Sequence, residues 1–126
     1  MLDIDHFKQV NDAHGHLFGD GVLRVIAARI KATLRKHDLV GRVGGEEFLI
    51  VCPDSSLDDT VVVAERIRNS VDKEEIGDGV NHVRVALSAG VTMSDAKDES
   101  SDKVFSRADT ALYKAKEEGR NRVVVV

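Results

Sequence analysis

The sequence has little cysteine: Cys52 is the only one among 126 residues, so no disulfide can form within the chain. A domain of this length can bury a sufficient core without such cross-links. The lack of a disulfide framework favours a reducing, cytoplasmic compartment. Because Cys52 follows an apolar, strand-like run, we interpret it as a small core residue rather than as a nucleophile.

Long apolar runs and an excess of basic charge are also missing. No stretch reaches the ~20 apolar residues that a membrane-spanning helix needs, and no signal peptide is recognisable. The 18 basic and 22 acidic residues give a net charge of −4, which argues against a broad nucleic-acid-binding surface. With 42% hydrophobic residues, the composition predicts one globular domain over residues 1–126.

The most informative stretch runs from Arg42 to Val51, where Gly44 and Gly45 separate two strand-like runs. Paired glycines between strands predict a hairpin with a tight turn, since such turns need positive φ. Glu46 and Glu47 follow at once, and a strand leaving the turn would present one carboxylate to each face. Taken alone, this pattern is more typical of a solvated hairpin tip than of a metal or nucleotide site.

The first residues alternate between apolar and acidic side chains, which predicts the end of a strand. Asp3 and Asp5 would then share one face and could hold a divalent cation. The alternative is an exposed strand end with two solvated acids. Because the alternation starts directly at Leu2, the sequence indicates a domain that lacks its usual N-terminal segment.

The remaining pattern predicts an α/β fold of the α+β type, with a mixed central sheet that contains the antiparallel hairpin and is flanked by helices. We expect a long helix over about residues 20–36 with Asp20 as its N-cap, and a second long helix capped by Ser56 or Asp58. A strand is predicted over 83–89, with Gly90 as a bulge or kink. A third long helix should end at Gly119, before a last strand over 122–126.

Acidic and basic residues then fall into one constellation. Carboxylates at the end of the first strand and at the hairpin mouth would meet if the two strands are neighbours. Two Mg²⁺ ions held by such carboxylates are a common apparatus for phosphoryl transfer. Lys116 and Arg120, one helical turn apart, could hold phosphates; alternatively they only complement the helix dipole.

Several separated motifs, in this order, resemble the GGDEF family of diguanylate cyclases, and the resemblance runs from Leu2 to Val126. The hairpin carries the Gly-Gly-Glu-Glu-Phe variant of the family signature. The motifs are Asp3-Ile4-Asp5-His6-Phe7-Lys8, Asn11-Asp12, Gly15-His16, Gly19-Asp20, Gly44-Gly45-Glu46-Glu47-Phe48 and Gly119-Arg120-Asn121. The resemblance implies a ferredoxin-like core similar to the palm of polymerases and nucleotidyl cyclases.

The resemblance also implies a catalytic centre. Asp3, Glu46 and the backbone carbonyl of Ile4 would bind two Mg²⁺ (or Mn²⁺) ions, and Glu47 would lie near the metals or the reacting 3′-hydroxyl.

For the substrate, the resemblance implies that Asn11 and Asp20 bind the guanine edge of GTP. Gly44 and Gly45 would let the backbone approach the nucleotide closely. The phosphates would be held by three basic residues, Lys8, Lys116 and Arg120.

The implied reaction joins two GTP molecules into cyclic di-GMP and releases two pyrophosphates. Because one domain would hold one GTP, activity implies a homodimer, and dimerisation would be the natural point of control. The rival interpretation is a catalytically inactive module that binds GTP or cyclic di-GMP. A purely structural α/β domain would require every motif to be coincidental.

A second family feature is an Arg-x-x-Asp motif formed by Arg35 and Asp38, just before the strand that enters the hairpin. In members with product inhibition, this motif binds a cyclic di-GMP dimer, and Arg66 matches a secondary arginine used there. The planar guanidinium suits the task because it can bind a phosphate or a guanine edge bidentately. The alternative is an ion pair at the surface end of a helix.

Overall fold

The computed structural model describes all residues, 1–126, and contains seven strands and four helices. The elements in chain order are β1 (Leu2–Ile4), α1 (Phe7–His14), α2 (His16–Thr33), β2 (Leu39–Arg42), β3 (Glu47–Val51), α3 (Leu57–Asp72), β4 (Ile76–Gly77), β5 (His82–Val83), β6 (Leu87–Val91), α4 (Ser101–Glu117) and β7 (Val123–Val125). None of the four helices is both long and apolar enough to cross a bilayer.

The main sheet has five strands in the order β2-β3-β1-β6-β7, and β4 and β5 form a separate two-stranded ribbon. The β2–β3, β3–β1 and β1–β6 pairs are antiparallel, whereas β6 and β7 run parallel. The predicted α/β fold with a mixed sheet and an antiparallel hairpin is therefore confirmed. The short strand β1 lies at the centre of the sheet, with the hairpin on one side and β6 on the other.

The core lies on one face of this sheet, under α2 and α3. Leu2 and Ile4 of β1, Phe48 of β3, and Leu87 and Ala89 of β6 point to this face and are almost fully buried. Successive strand residues point to opposite faces, so Asp3 and Ser88 point to the other face. That face is covered by α4, and the helix therefore packs directly over the acidic end of β1.

Close packing of α4 on the sheet depends on Gly90 in β6. A Cβ at this position would collide with the backbone of Ala108 and Leu112 in α4. Gly90 is paired with Val124 inside the β6–β7 ladder, so the predicted bulge or kink at Gly90 is wrong. The glycine serves a helix–strand approach instead.

The helix α2 differs from the predicted one at both ends, since it runs from His16 to Thr33. Asp20 lies inside the second turn and is not the N-cap. Gly19 lies within the helix, where the lack of a side chain makes room for Asn11 of α1. The predicted cap of α3 is confirmed at Ser56, which forms a capping box with Asp59.

The strand predicted over 83–89 is interrupted. His82–Val83 pairs with Ile76–Gly77, and Leu87–Val91 pairs with β1. The apolar alternation continues through Val85, which is buried, although the chain changes its partner strand there. Alternation reports the buried face of a strand but not its partner.

Candidate functional site

The predicted acidic residues meet where β1 and β3 lie side by side. Asp3 is the register partner of Glu47, and the backbone N–H of Ile4 donates to the carbonyl of Glu46 at 3.1 Å. The first strand and the hairpin are thus neighbours, as the meeting of their carboxylates requires. Glu46 and Glu47 are both partly exposed, so their carboxylates remain accessible at this edge.

The turn that carries Glu46 differs from the predicted tight turn. Gly44 and Gly45 do not adopt positive φ, and Glu46 belongs to the loop between β2 and β3 rather than to the strand. The loop is closed by a bond from the Val43 N–H to the Glu47 carbonyl at 3.0 Å. A longer loop of this kind can turn without left-handed residues, so the paired glycines have another use. A Cβ on Gly45 would meet only open space, which leaves its backbone accessible to a ligand.

Arg42, to which the sequence pattern assigned no role, holds this loop in place. Its guanidinium donates from Nε to the carbonyl of Gly44 at 3.1 Å, and from Nε and Nη2 to the carbonyl of Gly45 at 3.0 and 2.7 Å. These bonds occupy two carbonyls of the loop and fix the entry to Glu46. The only signal in the sequence is a cation two residues before the glycine pair, which by itself is not specific.

Asp3 is a buried carboxylate with a cationic partner. Its side chain is 7% exposed, and Oδ2 lies 3.0 Å from Nζ of Lys116 on α4. Burial raises the pKa of Asp3 above its usual value, while the hydrogen bond and charge of Lys116 and the charge of Arg120 oppose that rise. A buried carboxylate next to accessible carboxylates, under a lysine, is an arrangement suited to cations and phosphates rather than to packing.

The donor atoms fit a hard divalent cation. Carboxylates and backbone carbonyls are the ligands that Mg²⁺ prefers, and Asp3, Glu46 and the Ile4 carbonyl supply that chemistry. No three acidic, histidine or cysteine side chains converge anywhere in the chain. The set implied by the resemblance contains only two side chains and one carbonyl, and it therefore needs no such cluster.

Both carboxylate oxygens of Asp5 accept hydrogen bonds within the protein, so Asp5 is not free to pair with Asp3 around a cation. It is buried; its Oδ1 accepts from the Ser88 hydroxyl at 2.7 Å and its Oδ2 from the Asn121 N–H at 3.0 Å. The predicted pairing of Asp3 and Asp5 around one cation is therefore not supported by the structure. Strand alternation could not reveal the donors, because Ser88 and Asn121 are far away in the sequence.

The basic residues are not arranged as one helical face. Lys116 is in the last turn of α4, but Arg120 lies beyond the helix end. The chain leaves α4 through Gly119, whose N–H bonds to the Lys116 carbonyl at 3.4 Å, while the Arg120 N–H bonds to the Ala115 carbonyl at 2.9 Å. This is a Schellman ending, with Gly119 at the predicted position. Lys8 is exposed on α1.

Asn11 and Asp20 lie on the adjoining helices α1 and α2. The Asn11 amide packs against Gly19, the neighbour of Asp20 in α2. Asp20 is exposed and borders an open groove of about 430 Å³ between α2 and the hairpin. Phe48, Leu23, Ala27 and Val40 give this groove an apolar floor, and Arg24, Lys31 and Arg42 line its rim. Apolar contact plus a few polar groups suits a nucleobase.

The Arg-x-x-Asp motif forms a closed turn after α2. The Asp38 carboxylate accepts from the Arg35 N–H at 2.8 Å, and the Asp38 N–H donates to the Arg35 carbonyl at 3.1 Å. Arg66 on α3 donates to the Thr33 carbonyl at 3.0 Å, at the end of α2. The two arginines thus lie on neighbouring segments. The Arg35 side chain is exposed and has no hydrogen bond or ion pair within the chain.

The chain is similar to a known protein family and to individual members of it. The family model described as diguanylate cyclase, GGDEF domain, matches residues 1–122. Diguanylate cyclase A of Treponema denticola is 42% identical over 125 residues, which cover 99% of this chain and 34% of that protein. The response regulator PleD of Caulobacter vibrioides is 40% identical over 126 residues, which cover 98% of this chain and 28% of that protein. The chain thus spans about a third or less of these relatives.

The chain also has the same fold as solved structures of this family. The active GGEEF domain of a diguanylate cyclase from Vibrio cholerae superposes with a TM-score of 0.90 at 38% identity, covering 98% of this chain and 78% of that one. The GGDEF domain of DgcB from Caulobacter crescentus, in complex with c-di-GMP, superposes with a TM-score of 0.92 at 35% identity, covering 98% of this chain and 74% of that one.

Proposed function

The chain belongs to the GGDEF family of diguanylate cyclase domains, and on that premise we propose that it condenses two GTP molecules into cyclic di-GMP with release of two pyrophosphates. The observation that carries the proposal is the register of β1 against β3. It sets the buried Asp3 opposite Glu47 and next to Glu46, so the Gly-Gly-Glu-Glu-Phe signature lies beside the one buried carboxylate that has a lysine partner.

We assign the ends of the substrate as follows. The Asp20 carboxylate accepts the ring and exocyclic N–H groups of guanine, which adenine cannot supply in that pattern, and Asn11 adds a second contact to the base. Lys8, Lys116 and Arg120 hold the β- and γ-phosphates. The open surface at Gly45, and the neighbouring Gly44, let the nucleotide lie against the backbone of the loop.

Asp3, Glu46 and the Ile4 carbonyl would hold two Mg²⁺ or Mn²⁺ ions. When bound, these ions lower the barrier by activating the 3′-oxygen and neutralising the charge that develops on the α-phosphate. Glu47 would lie near the reacting 3′-hydroxyl or the metals. The Lys116 ammonium lies 3.0 Å from Oδ2 of Asp3, and from there it would contact the β- or γ-phosphate of bound GTP.

Each chain supplies one such site for one GTP, and the product contains two linked nucleotides. Two chains must therefore face each other, so that the α-phosphate of the GTP bound to one chain meets the 3′-oxygen of the GTP bound to the other. Catalysis then depends on proximity of the two sites, so association of the chains controls the rate.

Nucleotide binding tests the guanine assignment. We expect Asp20→Ala to weaken GTP binding in the presence of Mg²⁺ by about 10- to 100-fold, because the hydrogen bonds that guanine donates to a charged acceptor are lost. Isothermal titration of GTP and ATP with wild type and variant measures this. Asp12→Ala, which removes an exposed carboxylate from α1, is the matched control and should bind GTP as wild type does. Equal GTP and ATP affinity in the wild type would contradict the proposal.

Product inhibition is the proposed role of Arg35, Asp38 and Arg66. The exposed, unpaired guanidinium of Arg35 is available to a phosphate or guanine edge of cyclic di-GMP. We expect Arg35→Ala to raise the inhibition constant of cyclic di-GMP by about 10-fold or more, with the initial rate unchanged. Lys36→Ala removes a neighbouring exposed cation and should leave inhibition intact. Unaltered inhibition in Arg35→Ala would refute the inhibitory site.

A further inference from the structure

The turn after α4 has an unusual backbone. Arg120 and Asn121 have φ of 65° and 46°, so two successive residues other than glycine are in the left-handed region. Left-handed backbone is unfavourable for a side chain such as that of Arg120, and it persists only where surrounding contacts hold it. The contacts that hold this turn are therefore informative about what the turn is for.

The principal contact is the buried Asp5. Its Oδ2 accepts the Asn121 N–H at 3.0 Å, and its Oδ1 accepts the hydroxyl of Ser88, which is fully buried in β6. Asp5 has no ion pair. Its two oxygens are thus used to join the end of β1 to β6 and to the turn that follows α4.

A second set of contacts ties the same turn to α3. The Asn121 side chain accepts from Nη1 of Arg68 at 2.9 Å and donates to Oδ2 of Asp72 at 3.3 Å. These bonds fix the backbone that follows Arg120, and the bonds from the Gly119 and Arg120 N–H groups to the end of α4 fix the backbone before it. The Arg120 guanidinium itself is exposed and has no hydrogen bond or ion pair within the chain, and its charge opposes the rise that burial causes in the pKa of Asp3.

We propose that Asp5, with Ser88 and Asn121, is a positioning residue that holds Arg120 at the phosphate end of the site. The inference rests on the proposed function, since it needs a triphosphate at Arg120. The path is short: Asp3, which would hold the metal, lies two residues before Asp5, and Arg120 is adjacent to the residue whose N–H Asp5 accepts. The separation between metal ligand and phosphate cation is thus set by one buried carboxylate.

Two substitutions at Asp5, to alanine and to asparagine, differ in the hydrogen bonds that they keep. Asp5→Ala removes both acceptors and releases the turn. In Asp5→Asn, the amide oxygen can still accept from the Asn121 N–H, and the amide nitrogen can donate to the Ser88 hydroxyl, which is able to accept. A positioning role therefore survives Asp5→Asn, whereas a metal-binding or proton-transferring role of the carboxylate would not.

The test compares binding of GTP and GMP, because only GTP has the β- and γ-phosphates assigned to Arg120. We expect Asp5→Ala to weaken GTP binding about 10-fold in the presence of Mg²⁺ and to leave GMP binding unchanged. Asp5→Asn should stay within about 3-fold of wild type for both. Titration followed by calorimetry for GTP and by NMR shifts for GMP measures the split, and retained GMP binding shows that the variant is folded.

A double substitution tests whether Asp5 acts through Arg120. In the Arg120→Ala background, Asp5→Ala should cause no further loss of GTP affinity. If Asp5→Ala does not fold, Asn121→Ala at an exposed position loosens the same turn and should weaken GTP but not GMP binding.

The inference would be overturned by additive losses of GTP affinity in the double variant, by equal losses of GTP and GMP binding, or by an Asp5→Asn variant that binds GTP as weakly as Asp5→Ala. Wild-type GTP affinity in a folded Asp5→Ala would overturn it as well. These outcomes leave the proposed function intact. Failure of the wild-type chain to bind GTP overturns the proposed function and this inference together.

Discussion

Glu46→Gln is expected to lower the rate of cyclic di-GMP formation at least about 100-fold while GTP binding stays within a few-fold of wild type. The substitution keeps the size of the side chain but removes the negative charge that would hold the metal ions beside Asp3. The base contacts at Asn11 and Asp20 and the phosphate contacts at Lys116 and Arg120 remain. Turnover measured at saturating GTP separates the loss of chemistry from a loss of binding.

The control for this variant is Glu75→Gln, which makes the same chemical change at an exposed position between α3 and β4. It should turn over GTP at the wild-type rate. A Glu46→Gln enzyme as fast as wild type would refute the metal assignment, because an uncharged amide is a much poorer ligand for Mg²⁺ than a carboxylate.

Gly90→Ala is expected to destabilise the fold by about 2–3 kcal/mol. The added Cβ would lie inside the backbone of α4 at Ala108 and Leu112, where no side chain can rotate out of the way. The helix would have to shift away from β6, which also displaces Lys116 from Asp3. Equilibrium urea unfolding, followed by circular dichroism, measures the change.

Gly21→Ala is the matched control, with an effect of the opposite sign. Gly21 lies inside α2, and a Cβ there would meet no atom within 4 Å. Alanine is a better helix former than glycine, so this variant should be more stable by about 0.5–1 kcal/mol. If Gly90→Ala were as stable as wild type, the close approach of α4 to the sheet would be wrong.

Some features of the fold could be predicted because they depend on local chemistry. Ser56 caps α3 since its hydroxyl can reach an unpaired N–H two or three residues later. Gly119 ends α4 because glycine adopts the left-handed conformation at low cost. The mixed sheet follows from the hairpin, whose two strands must be antiparallel.

Other features could not be predicted because they depend on tertiary contacts. Gly19 resembles a helix boundary in the sequence, yet it lies within α2 and makes room for Asn11. The interruption between Val83 and Leu87 is a change of partner strand, which leaves the alternation intact. In both cases the residue type is compatible with two local structures, and distant packing selects one.

The candidate site shows the same division. The family resemblance assigned roles to Asp3, Glu46 and Lys116, and the structure places Asp3 beside Lys116 and Glu46 beside Ile4. The supporting residues Arg42 and Ser88 were missed because each acts on partners that no spacing rule connects to it. Arg42 bonds to carbonyls that its own loop turns back toward it, and Ser88 lies 83 positions from Asp5.

Measuring the formation of cyclic di-GMP distinguishes an active cyclase from a module that only binds the nucleotide. The purified chain is incubated with GTP and Mg²⁺ over a range of protein concentrations, and cyclic di-GMP is measured by mass spectrometry. We expect product whose rate per chain rises with protein concentration or on fusion to a dimerising helix, and a rate at least about 100-fold lower from Glu46→Gln. Tight GTP binding without cyclic di-GMP at any concentration, even in the fused dimer, would contradict it and identify a nucleotide-binding module instead.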